Sequence, residues 1–221
     1  NYRYSTLGIL NALGFHLTDE REDNTFQDLS FNLNFPSKNN RSVFNVWGIG
    51  GLSNEDYDAI DDVNKWDEYD DYAIYDFKTN MGAAGIGHSL QIGKNGLLKT
   101  SLAIMDQKIT YVDDTLSTQK TPFTINDELY KNSRLSLAVS YSTKLASAVA
   151  WKTGAFVSRI GYNFQQSLYD FNAGLYRNNI INGDGNTLLW QPYTQLNIKI
   201  NPKFTFNAGL HVLYLSLNKT R

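Results

Sequence analysis

The chain contains no cysteine. That excludes a disulfide-stapled module, a Cys-based zinc site and a thiol nucleophile. It has only four prolines, too few for a disordered Pro-rich chain. No run approaches the roughly 18–20 consecutive apolar residues of a membrane helix. An inner-membrane helical protein is thereby excluded, but a β-barrel is not, because its hydropathy is low by construction. No basic stripe with interleaved aromatics occurs, so nucleic acid is not an expected partner. The chain starts at Asn1 with neither an initiator Met nor a signal peptide, which reads as processing or as a cut from something larger.

What is present is aromatic and two-faced. Phe, Tyr and Trp make up 14% of the 221 residues, a share that favours strands and suits the aromatic girdles of membrane barrels. In "FQDLSFNLNFP" (26–36), Leu29, Phe31, Leu33 and Phe35 alternate with Asp28, Ser30, Asn32 and Asn34. A period of two describes a strand with different environments on its two sides. Leu135, Leu137, Val139 and Tyr141 alternate with serines and Ala138 in the same way, as do Leu196, Ile198 and Ile200 with Gln195, Asn197 and Lys199. The spacing predicts about nine strands, near 1–10, 26–35, 42–51, 79–92, 97–112, 133–142, 148–165, 188–200 and 204–217. In 97–112 the apolar set changes phase from Leu98, Leu102 and Ile104 to Ile109 and Tyr111. In 204–217 it changes to Leu213, Leu215 and Leu217. A bulge, or a strand that has left the apolar band, explains either.

The connectors are of two kinds. "PSKNNR" (36–41), "GKNG" (93–96), "STKLAS" (142–147) and "NPK" (201–203) read as hairpin turns. Long polar connectors are expected near 11–25, 52–77, 113–132 and 166–187. They hold 20 of the 22 acids, Asp28 and Asp106 being the exceptions. Long and short connectors in regular alternation put the two kinds at opposite ends of one sheet, the plan of an outer-membrane barrel. Leu29, Phe31, Leu33 and Phe35 then face lipid, and Ser30, Asn32 and Asn34 face a wet lumen. Two other readings stay open: a complete small porin-like or structural barrel, and a soluble all-β module binding carbohydrate or calcium.

The net charge of −2 hides a segregation. Ten acids lie between Glu55 and Asp76 against Lys65 alone. Clustered carboxylates suit a hard cation, so Asp56, Asp58, Asp61 and Asp62 are candidate calcium ligands, although the EF-hand pattern fails for want of a glycine at Asp61. Trp66, Tyr69, Tyr72 and Tyr75 are candidate ligand-stacking residues of the same loop. The alternative is a solvated acidic loop whose rings pack on themselves. "NNIINGDGNT" (178–187) reads as a turn at a loop tip, not a phosphate loop. His88 and Ser89 are adjacent, hence on opposite faces, and cannot form a base–nucleophile pair. His16 falls in an expected loop. Lys99, Lys152, Lys199 and His211 fall on the polar face and would line a substrate path or meet a domain inside the barrel. No catalytic residue is assigned.

"NYRYSTLGILNALG", followed by "FQDLSFNLNFPSKNNRSVFNVWGIGGLSNE", resembles part of the barrel of TonB-dependent outer-membrane receptors of the Bacteroidota type, and "GLHVLYLSLNKT" resembles a late-middle strand of that barrel. These stretches cover about a quarter of the chain. The resemblance implies a barrel of about 22 strands, of which residues 1–221 would be an internal part. It also implies an N-terminal plug and a TonB-type energy-transducing partner supplied through the rest of the parent chain. The function it implies is energised uptake of a scarce nutrient: a metal chelate, a vitamin or an oligosaccharide. It carries over no ligand residues. Nothing in the chain resembles the plug or its TonB-contacting segment, and "NKTR" lacks the terminal aromatic that closes such barrels.

Overall fold

The computed structural model describes residues 1–5, 9–10, 13–15 and 21–216, with only the backbone of 177–180. Of the expected loop at 11–25, residues 11–12 and 16–20, with His16, lie outside the described residues, and 22–25 are strand, the start of β2. The described chain is an antiparallel up-and-down sheet: β1 (Tyr2–Tyr4), β2 (Glu22–Pro36), β3 (Ser42–Tyr57), β4 (Ala73–Ile92), β5 (Gly96–Leu116), β6 (Pro122–Ala146), β7 (Val149–Asp170), β8 (Leu175–Asn201), β9 (Phe204–His211) and β10 (Tyr214–Ser216). Strands pair in chain order, and β9 and β10 both pair with β8. The sheet is open, with β1 at one edge and β9 and β10 at the other.

β9 and β10 are one line of strand. His211 faces Tyr193 and Tyr214 faces Trp190, so the register is unbroken. The interruption at Val212–Leu213 falls opposite Pro192, which has no N–H to give the ladder. The change of phase toward Leu213 and Leu215 is therefore no slip: those residues lie on the other face of the same strand. In β5 the pairing with β4 is continuous from Ala73 to Ile92, so the change of phase between Ile104 and Ile109 is no bulge either.

The expected loops at 113–132 and 166–187 are corrected. β5 and β6 are joined by 117–121 alone, and β7 and β8 by 171–174 alone. "NGDG" is extended strand, with Asp184 opposite Asn163, not a turn. These segments had read as loops because both of their faces are polar. A strand wetted on both sides loses its apolar alternation while keeping its ladder. Among the described residues the long connector that remains is 58–72, holding two 3-10 turns, Val63–Lys65 and Tyr69–Asp71.

Direct partners define one row across seven strands: Leu29, Gly50, Gly82, Asp106, Ser133, Gly161 and Asn186. Opposed residues share a face. On this face, below the row, lie Phe31, Leu33, Val46, Ile86, Leu102, Ile104, Leu135, Leu137, Val157, Trp190, Ile198 and Phe206. They form a continuous apolar belt, and it is exposed: Leu33 is 52% and Ile104 59% accessible. The opposite face carries Ser30, Asn32, Asn34, Gly85, Ser101, Ser136, Ala138, Ser158 and Asn207, with Lys99, Lys152, Lys199 and His211 on it as alternation requires.

The belt runs diagonally. From the reference row, pairing ends 7 residues on at Pro36, 10 on at Ile92 and 15 on at Asn201. The stagger is thus 8 residues over the six steps between the seven strands. With a rise of about 3.3 Å and a strand separation of about 4.8 Å, it corresponds to a tilt of roughly 40°. The aromatics at the short-turn rim (Phe35, Phe44, Tyr141, Trp151 and Phe204) step down the same diagonal.

The described residues form almost no core. Among the described residues the buried apolar side chains are Ala73 and Ile125. The accessible surface is 15240 Å², whereas a compact chain of 25.1 kDa would expose about 10,300 Å². The sheet holds together by its ladders and by cross-strand contacts. Trp47 lies over Gly85, where a Cβ would come within 2.7 Å of the indole, and Phe31 lies over Gly48. Glycine lets each ring lie flat on the neighbouring strand. On the polar face Arg134 donates to Ser136 and Ser158, each at 3.1 Å, and Ser158 is buried.

Candidate functional site

Beyond the belt, toward the 58–72 connector, the polar face becomes aromatic and acidic. Tyr57, Tyr75, Tyr111, Tyr130, Phe164 and Tyr162 all lie on it, on five successive strands, β3 to β7. Ring centroids are 5.5 Å apart for Tyr57–Tyr75 and 6.2 Å for Tyr75–Tyr111, the latter pair nearly parallel at 12°. Tyr130–Phe164 are separated by 5.5 Å and Tyr162–Phe164 by 5.4 Å. The row descends from β3 to β7 with the belt, so it keeps a constant height on a tilted sheet.

Carboxylates and amides lie among the rings. Asp113 and Glu128 share the face. Glu128 accepts from Asn126 and from Gln166, each at 2.8 Å. The 58–72 connector folds onto the same wall. Tyr69 donates its hydroxyl to Asp113 at 2.8 Å, and Tyr75 donates to Asp70 at 3.0 Å. Trp66 donates its indole N–H to the Ile60 carbonyl at 2.7 Å and packs on Tyr72, which packs on Tyr69. Asp71 accepts from the backbone N–H groups of Asp67 and Glu68 and lies 3.9 Å from Arg21, whose guanidinium sits 5.0 Å over Tyr57.

The electrostatics follow from this packing. Burial, and next the hydrogen bonds to Asp113 and Asp70, push the Tyr69 and Tyr75 hydroxyls well above the usual phenol range, so both stay donors at neutral pH. Burial raises the Asp113 carboxyl, against the opposing bond from Tyr69, and Asp114 and Asp70 raise it further. The backbone N–H of Glu68, then that of Asp67, holds Asp71 low.

The four proposed stacking residues are thus brought together, with two roles. Tyr75 belongs to the wall, while Trp66, Tyr69 and Tyr72 build the flap that leans on it. The four proposed calcium ligands are not brought together. Asp56 lies on the belt face opposite Asp76 and accepts from Asn54. Asp61 reaches out to Lys120 at 3.2 Å. Asp62 caps the first 3-10 turn by accepting from the Asn64 N–H at 3.1 Å. Asp58 uses its backbone N–H to bind the Arg21 carbonyl. Among the described residues no three acid or histidine side chains converge on one point. Alternation on β3 and the two 3-10 turns send the carboxylates in different directions.

His88 meets Ser42 at 2.7 Å across the strands and stacks on Phe44 at 4.1 Å, on the belt face. Sequence reasoning missed Tyr111, Tyr130, Tyr162 and Phe164. Their signal was the local alternation Ile109-Tyr111-Asp113 and Glu128-Tyr130-Asn132, hidden where the polar runs read as loops. Chemically, the wall offers flat π faces and carboxylates that accept hydrogen bonds from hydroxyls. No protein-family model, curated protein or solved structure matches the chain.

Proposed function

We propose that this chain is a length of wall from an outer-membrane, TonB-dependent active transporter that takes up a scarce nutrient. The observation that carries the reading is the exposed diagonal belt. An apolar surface of this extent, on a sheet without a core, needs an apolar medium, and lipid supplies it. The tilt of roughly 40° agrees with the 35–45° of transmembrane barrels. The open edges leave room for further strands, as a larger barrel of about 22 would require. The short turns then lie on the periplasmic side, and the tall β5–β6 and β7–β8 hairpins rise outside the cell.

The polar face becomes the lumen. Its lower part is basic and rich in small residues, which suits a folded plug bearing acids. Its upper part is the aromatic and acidic wall, which suits first capture of the nutrient. The resemblance of the belt strands β2 and β3 to the receptor family points the same way. A soluble carbohydrate- or calcium-binding module would require a core that the described residues do not form.

Fractionation of cells expressing the full-length protein tests the reading. Recovery in the outer-membrane fraction, resistant to carbonate and released only by detergent, supports it. Recovery of native protein in the aqueous fraction without detergent overturns it.

A further inference from the structure

Resting on that reading, we infer that Lys108, Lys131 and Arg159 form a docking site for the phosphate of an anionic outer-leaflet lipid. Lys108 and Lys131 are direct cross-strand partners on the belt face. Like charges placed directly opposite destabilise a sheet unless something lies between them. Neither lysine, nor Arg159 on the next strand, comes within 4.0 Å of a carboxylate among the described residues. All three side chains are exposed.

Their height on the sheet is what selects the occupant. Ile104 and Leu135 end the belt on β5 and β6. Lys108 and Lys131 follow four residues further along each strand, and Arg159 lies opposite Leu135. Ser133 and Gly161 between them are small and leave a cleft of about 510 Å³, lined by Ile104, Leu135, Lys131 and Arg159 together with Asp106 and Asp184, and Lys108 stands outside that lining, beside Lys131. Lys131 and Arg159 balance these two acids within the cleft, and the neighbouring Lys108 makes the group one charge positive. A lipid lying along the belt would set its acyl chain on Ile104 and Leu135 and its headgroup among the three cations. Arginine offers a planar fork to phosphate oxygens and the lysines offer point charges. A neutral headgroup without phosphate would leave the lysine pair unrelieved.

The test uses the full-length protein in a neutral detergent, with thermal unfolding as readout. Dioleoyl phosphatidic acid is expected to raise the midpoint saturably, and dioleoylglycerol, the same lipid without phosphate, is expected not to. The K108Q/K131Q double variant, and R159Q separately, are expected to weaken the apparent affinity at least tenfold. The double variant should be no less stable than the parent without lipid, since it removes a repulsion. Three results would overturn the inference: equal stabilisation by dioleoylglycerol, equal stabilisation by inorganic phosphate at the same concentration, or unchanged affinity in both variants. Failure of the membrane reading looks different, because the parent protein would then stay native without detergent.

Discussion

Replacing Leu102 by arginine is expected to weaken insertion into a bilayer by about 2–4 kcal/mol, the range for a cation at the midplane of a barrel's lipid face. On the proposed membrane reading the residue lies there. Leu102 faces Ile86 and Leu137 across the two ladders, in the middle of the belt. On strands tilted by roughly 40°, each residue climbs about 2.5 Å. Asp106, four residues on, is therefore about 10 Å higher and already at the rim, which explains why a native charge is tolerated there. Leu102→Arg should shift the folding equilibrium into phosphatidylcholine vesicles by roughly 30- to 700-fold, at about 1.4 kcal/mol per decade. Asp106→Arg should cost no more than about 1 kcal/mol. Ser101→Arg, on the opposite face, should insert normally. Urea titration of vesicle-bound protein, followed by tryptophan fluorescence, measures all three. The reasoning is refuted if Leu102→Arg folds like the parent while Ser101→Arg is the damaging change.

Other outcomes follow from named contacts. Gly85→Val pushes a branched side chain into the Trp47 indole and should cost about 1–3 kcal/mol in the same titration, as overpacking does; an unchanged midpoint would contradict the flat-lying ring. Tyr69→Phe removes the bond to Asp113 that holds the 58–72 flap on the wall. At about 1–1.5 kcal/mol for such a bond, tryptic cleavage after the exposed Lys65 should speed up roughly 5- to 12-fold, whereas an unchanged rate would show that the flap is held elsewhere. Asp113 has a raised carboxyl, so its contribution to the folded state is greatest at low pH and is lost as pH rises through its shifted value. Asp71 is held low, so its contribution is present at neutral pH and lost as pH falls below the usual carboxylate range. Flap protection should therefore rise on acidification from neutrality and collapse in stronger acid, and Asp113→Asn should abolish the rise while leaving the collapse. Calcium at millimolar concentration should leave the melting temperature unchanged, because the acids do not converge; a saturable increase would restore the cation site.

The belt was legible because a strand between two unlike media keeps strict alternation. Leu29 to Phe35 and Leu135 to Tyr141 show it plainly. Three short turns were legible from their Gly, Asn, Pro and Lys content, whereas the fourth, expected at 142–147, lies at 147–148, because 142–146 are the paired end of β6. The upper hairpins were not, because Lys131, Asn132, Asp127 and Glu128 are polar on both faces, and water on both sides erases the period of two. Pairing with neighbouring strands, a non-local property, makes them strands. The same blindness concealed the aromatic wall. Its rings come from β3, β4, β5, β6 and β7, and only the register brings Tyr57, Tyr75, Tyr111, Tyr130 and Phe164 into one descending row. The acidic cluster of 54–77 was conspicuous in the sequence, yet adjacency along a chain is not convergence in space. Asp61 and Asp62 point to different partners, Lys120 and the Asn64 N–H.

The absence of cysteine makes the central claim, lipid on one face and water on the other, open to a clean measurement. Single cysteines at Leu33, Leu102 and Leu137, and at their neighbours Asn34, Ser101 and Ala138, can be labelled in the membrane-inserted full-length protein. The belt positions are expected to react only with a lipid-soluble maleimide, and the neighbours to react with a charged, membrane-impermeant one once the lumen is opened to it. Reversal of that pattern, or equal labelling of both sets by the impermeant reagent, would contradict the account.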